Sequence, residues 1–317
     1  MNLRPNFDIS VHGRTVRLGE RTLVMGVLNV TPDSFSDGGR YLAPDRAIAH
    51  GLEMARQGAD WIDVGGESAR PGALPVSTGE ELRRVLPVIR GLRRKSRSLV
   101  ISIDTTKAEV ADRAVRAGAN VINDVSGLRF DPRVADVARR HRTPLILMHL
   151  RGRPETMQQK PFVRSVWRAV GNGLAWSIRR ALASGVRRSQ LIIDPGMGFG
   201  KSRRQNYEIL AGLRRLQSFR LPILVGTSRK SFVQAVVAGE GLDQPSREKS
   251  GARLWPLTEG RGALRTPAGG QSPPLQIGDA AMVAATVLGG AHIVRVHDVA
   301  AALPAVRIAD AILAARR

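Results

Sequence analysis

Hydrophobic and polar positions repeat along most of the chain in one compound unit: a stretch of helical spacing, a glycine, a short β-branched apolar run and a polar residue at its end. Ile48, Leu52, Ala55 and Ala59 keep helical spacing, Gly58 falls where a helix should stop, and Trp61-Ile62 leads into Asp63. Val110, Ala114 and Ala117 repeat the helical face, Gly118 ends it, and Val121-Ile122 runs into Asn123-Asp124. The stretches Gly185 to Asp194 and Gly290 to Arg295 follow the same order. The apolar runs predict eight strands, near 22–28, 60–64, 99–103, 120–122, 144–148, 190–193, 221–225 and 292–296, each followed by a helical pattern. That alternation predicts an α/β chain closed into a single (β/α)8 TIM barrel. A doubly wound sheet ordinarily stops at about five or six strands and carries a glycine-rich nucleotide turn after the first, which is missing here.

Two segments depart from the repeat. Asp8-Ile9-Ser10-Val11 and Thr15-Val16-Arg17-Leu18 flank His12-Gly13-Arg14, which predicts an N-terminal β-hairpin within residues 1–20, placed to plug the barrel bottom. Residues 21–317 then form the barrel. Residues 239–277 contain seven Gly and five Pro in 39 positions and no apolar periodicity. They predict a disordered or loosely held surface insertion inside the seventh helical region, between Phe232–Val236 and Asp279–Val283. No second domain is needed.

Composition narrows the chemistry. With 43% hydrophobic residues in 317 the chain can bury a full core, and with only 4% aromatics Val, Leu, Ile and Ala must fill it. Cysteine is absent, which removes disulfides, thiolate metal sites and cysteine nucleophiles, and the six histidines form no zinc-type cluster. The N-terminus lacks the apolar core of a signal peptide and no apolar run reaches transmembrane length, so a cytoplasmic protein without a membrane partner is expected. The 49 basic and 27 acidic residues give a net charge of +22. Most of the excess is Arg dispersed on helical segments such as Arg83-Arg84 and Arg214-Arg215, and no basic stretch carries interleaved aromatics. Nucleic acid is therefore not expected as a partner.

In such a barrel the C-terminal ends of the strands converge on one mouth. Here they carry Asn29, Asp63, Asp104, Asn123, His149, Asp194, Thr227-Ser228, and Arg295 with His297, all of them polar. One Asp after a strand is ordinarily a helix cap, but capping does not gather amides and carboxylates around a common axis. The loops after the first two strands, 29–39 and 63–72, are rich in Gly and small polar residues and suit closure over a ligand. Asn29-Val30-Thr31 also fits a glycosylation sequon, without a secretion signal to support it. The stretch Asp194-Pro195-Gly196-Met197-Gly198-Phe199-Gly200-Lys201-Ser202 fails the phosphate-loop pattern, because Pro195 stands where that pattern needs its first Gly. Ser228-Arg229-Lys230 and Arg295-Val296-His297 put cations after strands seven and eight, where barrel enzymes commonly bind phosphate.

Taken in order, these segments resemble the dihydropteroate synthases. Asn29 to Gly39, Asp63 to Gly72, Ile101 to Lys107, Ile122 to Val125, Met148 to Gly152, Asp194 to Lys201, Ser228 to Lys230 and Arg295 to Val299 look like that family's signature segments, and the resemblance spans roughly 21–315. It implies a transferase that condenses 6-hydroxymethyl-7,8-dihydropterin diphosphate with p-aminobenzoate, forming a C–N bond and releasing diphosphate, in folate biosynthesis. It also implies sulfonamides as ligands and, as is common in the family, a homodimer. By the same resemblance Asp104, Asn123, Asp194 and Lys230 hold the pterin, while Asn29, Arg70, Arg295 and His297 take the diphosphate, with Mg2+ on Asn29. Phe199, Ser231 and Pro71 meet the aminobenzoate, Asp63 and Ala69 also contact substrate, and Asp104, Lys230 and Arg70 carry catalysis. The chain departs from the family at Ala69, where Thr is common, and in the long Gly/Pro-rich segment. The nearest rival is a methyltetrahydrofolate:corrinoid methyltransferase, a pterin-binding barrel that needs neither Ser228-Arg229-Lys230 nor Arg295-Val296-His297.

Overall fold

A computed structural model describes residues 4–11, 13–31, 43–68, 73–153, 156–157, 164–243 and 273–315. Strands β1 (Phe7–Val11) and β2 (Arg14–Leu18) pair antiparallel as the predicted hairpin. Eight parallel strands follow: β3 (Leu23–Asn29), β4 (Trp61–Gly65), β5 (Val100–Asp104), β6 (Val121–Asp124), β7 (Leu145–Met148), β8 (Leu191–Asp194), β9 (Leu224–Gly226) and β10 (Ile293–Val296). Their order is β8-β7-β6-β5-β4-β3-β10-β9. A parallel bridge between Ile193 and Ile223, with Ile193 N–H donating to Pro222 O at 2.9 Å, joins the two ends and closes the barrel. The helices are α1 (Ala43–Arg56), α2 (Thr78–Lys95), α3 (Ala108–Ala117), α4 (Val134–His141), α5 (Val166–Ala183), α6 (Arg203–Ala211), α7 (Ser231–Val237), α8 (Pro273–Leu288) and α9 (Val299–Ala314).

Alternation along the strands sorts side chains into two cores. Ile62, Val64, Ile101, Ile103, Ile122, Leu145, Leu147 and Ile193 point outward and pack with Val85, Ile89, Val110 and Val134 of the helices. Trp61, Val121, Ile146, Ile192, Leu224 and Ile293 point inward at the bottom, where Ile9, Val11 and Leu18 of the hairpin cover them. The hairpin is thus the expected plug: its alternating apolar residues have nowhere else to be buried, and each contributes about 1.5–3 kcal/mol by leaving water.

The predicted insertion ends earlier than the Gly/Pro content suggests. Pro273 to Ile277 belong to α8, with Leu275 against the core. Proline suits the first turn of a helix, where its missing N–H has no partner to lose, so Pro273-Pro274 starts α8 instead of extending a loop. Residues 244–272 lie outside the described residues.

Candidate active site

The inward positions that are apolar at the barrel bottom become polar two to four residues later. Trp61 is followed by Asp63 on β4, Val100 by Ser102 and Asp104 on β5, Val121 by Asn123 on β6, and Ile192 by Asp194 on β8. Register brings them together: Gly65 stands between Asn29 and Asp104, and Asp104 is opposite Asn123. A Cβ at Gly65 would sit 3.4 Å from Asp104 Cβ and 3.7 Å from Asn29 Oδ1. The missing side chain therefore leaves open space between those two residues.

One hydrogen-bonded network joins four of the predicted residues. Arg295 Nε donates to Asp63 Oδ2 and its Nη2 to Asp104 Oδ2, both at 2.7 Å, while Asn123 Nδ2 donates to Asp63 Oδ2 at 2.9 Å. Asp63 is fully buried, and its Oδ1 has no hydrogen-bond partner among the described residues. Its protein contacts make it the anchor of Arg295 and Asn123. Because Asn123 gives an amide hydrogen to Asp63, its carbonyl oxygen stays available as an acceptor.

The charges are strongly coupled. Burial raises the Asp104 carboxyl well above the ordinary carboxylate range, against the pull of Arg295. Burial works to lower the Arg295 pKa, yet Asp63 and Asp104 hold it above its ordinary value. Across the mouth burial lifts Asp194 to about 6, although Gly196 N–H donates to its Oδ1 at 2.7 Å. Burial, aided by Arg295, lowers Lys230 to about 8. Lys230 Nζ lies 4.4 Å from the centre of the Phe199 ring, a cation–π contact. It can come close because Gly198, at φ +84°, carries no Cβ, which would stand 3.2 Å from Lys230 Cδ.

The loop after β8 is held from within by a lysine. Lys201 points inward, donating to the carbonyls of Gly196 at 2.7 Å, Phe199 at 2.9 Å and His149 at 3.2 Å. Three carbonyls satisfy its three ammonium hydrogens, so the cation holds the loop together. His149 itself is buried and kept neutral by that burial. Asp124 faces outward and accepts from Ser126 and Leu128, and Asp298 caps α9 through Ala301 N–H at 3.0 Å. His297 rests on Ser228 Oγ, with both its N–H and Nδ1 at 3.4 Å. Ser231 is exposed at the first position of α7. Ala69, Arg70 and Pro71 lie outside the described residues.

Against known proteins, the pterin binding enzyme family model matches residues 25–297. A dihydropteroate synthase from Synechocystis sp. is 42% identical over 294 residues, covering 93% of this chain and 91% of the relative. The chain belongs to the dihydropteroate synthase family. The family's enzyme from Escherichia coli K12 is 40% identical over 294 residues, covering 92% of both chains. Among solved structures, the Xanthomonas albilineans enzyme with 4-aminobenzoic acid superposes with a TM-score of 0.80 at 38% identity, covering 98% of this chain and 99% of that one. The same enzyme with 7,8-dihydropteroate gives 0.77 at 37% identity, covering 97% and 99%.

Membership agrees with the strand-end reading and with its ordered motifs. Two contributors carried weaker signals. Lys201 lay in a recognised motif, but its inward direction was not visible from the sequence. Asp279, which accepts from Arg229 N–H at 3.0 Å and Ser228 Oγ at 3.3 Å, lies on a helix with no motif of its own.

Proposed function

We propose that the chain condenses 6-hydroxymethyl-7,8-dihydropterin diphosphate with p-aminobenzoate to give 7,8-dihydropteroate and diphosphate, and that the barrel mouth divides the work. The observation that carries this reading is the Asp63–Arg295–Asp104 network facing Asp194 and Lys230, in a chain whose relatives are dihydropteroate synthases. Asp194 and the Asn123 carbonyl oxygen accept from the pterin's N–H groups, and Lys230 donates to its carbonyl. Arg295, His297, Asn29 and Arg70 take the diphosphate. As the C–O bond to diphosphate breaks, positive charge grows on the pterin methylene, and Asp104 is the carboxylate placed to stabilise it. The aminobenzoate nitrogen then attacks that carbon and loses a proton, while Phe199, Pro71 and Ser231 enclose its ring and carboxylate. Asp63 serves this site by fixing Arg295.

Magnesium fits this site as a substrate-borne ion. By the family resemblance Asn29 is the residue that would hold it, through the hard side-chain oxygen that magnesium prefers. When bound, Mg2+ would neutralise leaving-group charge.

Ile277 on α8 and Ile308 and Ile312 on α9 are exposed apolar side chains on two helices that pack together, and we read them as part of a homodimer interface. No helix among the described residues is long and apolar enough to cross a membrane, which is compatible with a cytoplasmic setting.

The test is diphosphate release by the purified chain. It should require both substrates together with Mg2+. Methyl transfer to a corrinoid without that coupled release would overturn the reading in favour of the rival barrel enzyme.

A further inference from the structure

The turn Ser228-Arg229-Lys230 is held from behind by a residue that the proposed reaction does not use. Asp279 lies in the second turn of α8, largely buried, and its Oδ2 accepts from Arg229 N–H at 3.0 Å and Ser228 Oγ at 3.3 Å. It faces the seam between α8 and α9, beside Gln276, Val283, Val296 and Asp298, and not the barrel mouth. Val283 and Val287 on the same helix are fully packed in the core, so the carboxyl is presented from a fixed base.

The turn needs such a hold. Arg229 has φ +56°, in the left-handed region where a side chain is disfavoured, so its local preference opposes the conformation that sends Lys230 inward. The N–H of that same residue is the one Asp279 accepts. Ser228 carries the arrangement further. A carboxylate can only accept, so the single hydroxyl hydrogen of Ser228 goes to Asp279, leaving its oxygen to accept from His297, whose N–H and Nδ1 both lie at 3.4 Å. One carboxyl on α8 thus bears on both the turn that presents Lys230 and the side chain of His297.

We propose that Asp279 is a positioning residue that, through Arg229 and Ser228, places Lys230 against the pterin and His297 against the diphosphate. This rests on the roles assigned above to Lys230 and His297.

The experiment compares Asp279→Ala, Asp279→Asn and Ser228→Ala with the wild type in steady-state turnover, thermal melting, and calorimetric binding of 6-hydroxymethylpterin and of pyrophosphate with Mg2+. Asp279→Ala should raise KM for the dihydropterin diphosphate about tenfold and weaken both ligands, the size expected for losing a buried hydrogen-bonded partner. Asp279→Asn keeps an acceptor oxygen and should restore values to within about threefold of wild type. Ser228→Ala should weaken pyrophosphate more than the pterin, and it answers the question even where Asp279→Ala does not fold. A lowered melting temperature with unchanged KM and unchanged binding would overturn the proposal, as would equal losses in the Ala and Asn variants. Absence of condensation by the wild type would instead reject the proposed reaction, and the two binding measurements would still decide whether Asp279 positions the turn.

Discussion

Arg295 donates to Asp63 through Nε at 2.7 Å, a contact between strands whose residues are 232 positions apart in sequence. The same guanidinium reaches Asp104 through Nη2, so the pivot on Asp63 determines where the cation meets the carboxylate assigned to the reaction. Asp63 is fully buried and Arg295 is partly buried, with 18% of its side chain exposed, so the buried carboxylate bears most of the cost of breaking the pair.

Replacing Asp63 by Ala should therefore destabilise the fold by about 1–3 kcal/mol, because Arg295 loses one of its two carboxylate partners and keeps Asp104. Asn123 would lose its fixed orientation at the same time. We expect kcat/KM for the pterin diphosphate to fall at least about a hundredfold, or ~2.7 kcal/mol of transition-state stabilisation. Denaturant melts and steady-state kinetics on the same preparation check both numbers. A stable variant with near-normal kinetics would remove Asp63 from the site.

The opposed shifts of Asp194 and Lys230 predict a bell-shaped pH profile for kcat/KM. Asp194, raised to about 6, loses its acceptor charge as pH falls through that value. Lys230, lowered to about 8, loses its donor charge as pH rises through that value. Because Asp104, also raised by burial, gains its charge over the same interval, activity on the free enzyme should peak at the alkaline side of that interval, just before the Lys230 limb falls. Lys230→Arg keeps a cation at high pH and should abolish the alkaline limb while lowering the plateau, since a planar guanidinium does not replace a point charge. An unchanged alkaline limb in that variant would reassign it to another group.

Lys201→Met tests the loop after β8. The variant strands three carbonyls that now share one ammonium, at a cost of about 1–3 kcal/mol for a buried unsatisfied group. Because Phe199 and Gly196 are two of the three, we expect a raised KM for the pterin substrate along with a lower melting temperature. Tryptophan-independent readouts such as calorimetry suit a loop that carries no Trp.

The eight strands and most of the polar mouth were legible in the sequence because each rests on local pattern. A buried parallel strand reads as a short apolar run and a barrel puts every strand end on one face, so Asp104, Asn123, Asp194 and Arg295 group from the sequence alone. The partners of Asp63 were not legible. They come from β6 and β10, and no local rule says that a carboxylate in β4 will face an arginine at the far end of the chain. Asp279 was hidden for the same reason, 50 residues from Arg229 and on a helix whose pattern reports only its own buried face. The start of α8 is hidden in the sequence because Pro273-Pro274 follow closely on glycines, although proline is at home in a first helical turn.

The hairpin plug offers a test that separates fold from site. Leu18 is fully buried among Trp61, Ile146 and Ile293 at the end of the barrel opposite the mouth. Leu18→Ala removes three carbons from a packed layer and should cost about 2–5 kcal/mol, depending on how far the cavity collapses. The polar residues of the mouth are joined to that layer only through the strands themselves, and parallel pairing on both sides fixes the strands whether or not the plug fits well. Below its lowered melting temperature the variant should therefore turn over substrate with unchanged KM values and with kcat within about twofold of wild type. A large loss of kcat in a fully folded sample would show that the plug transmits strain to Asp63 and Asp104 along β4 and β5.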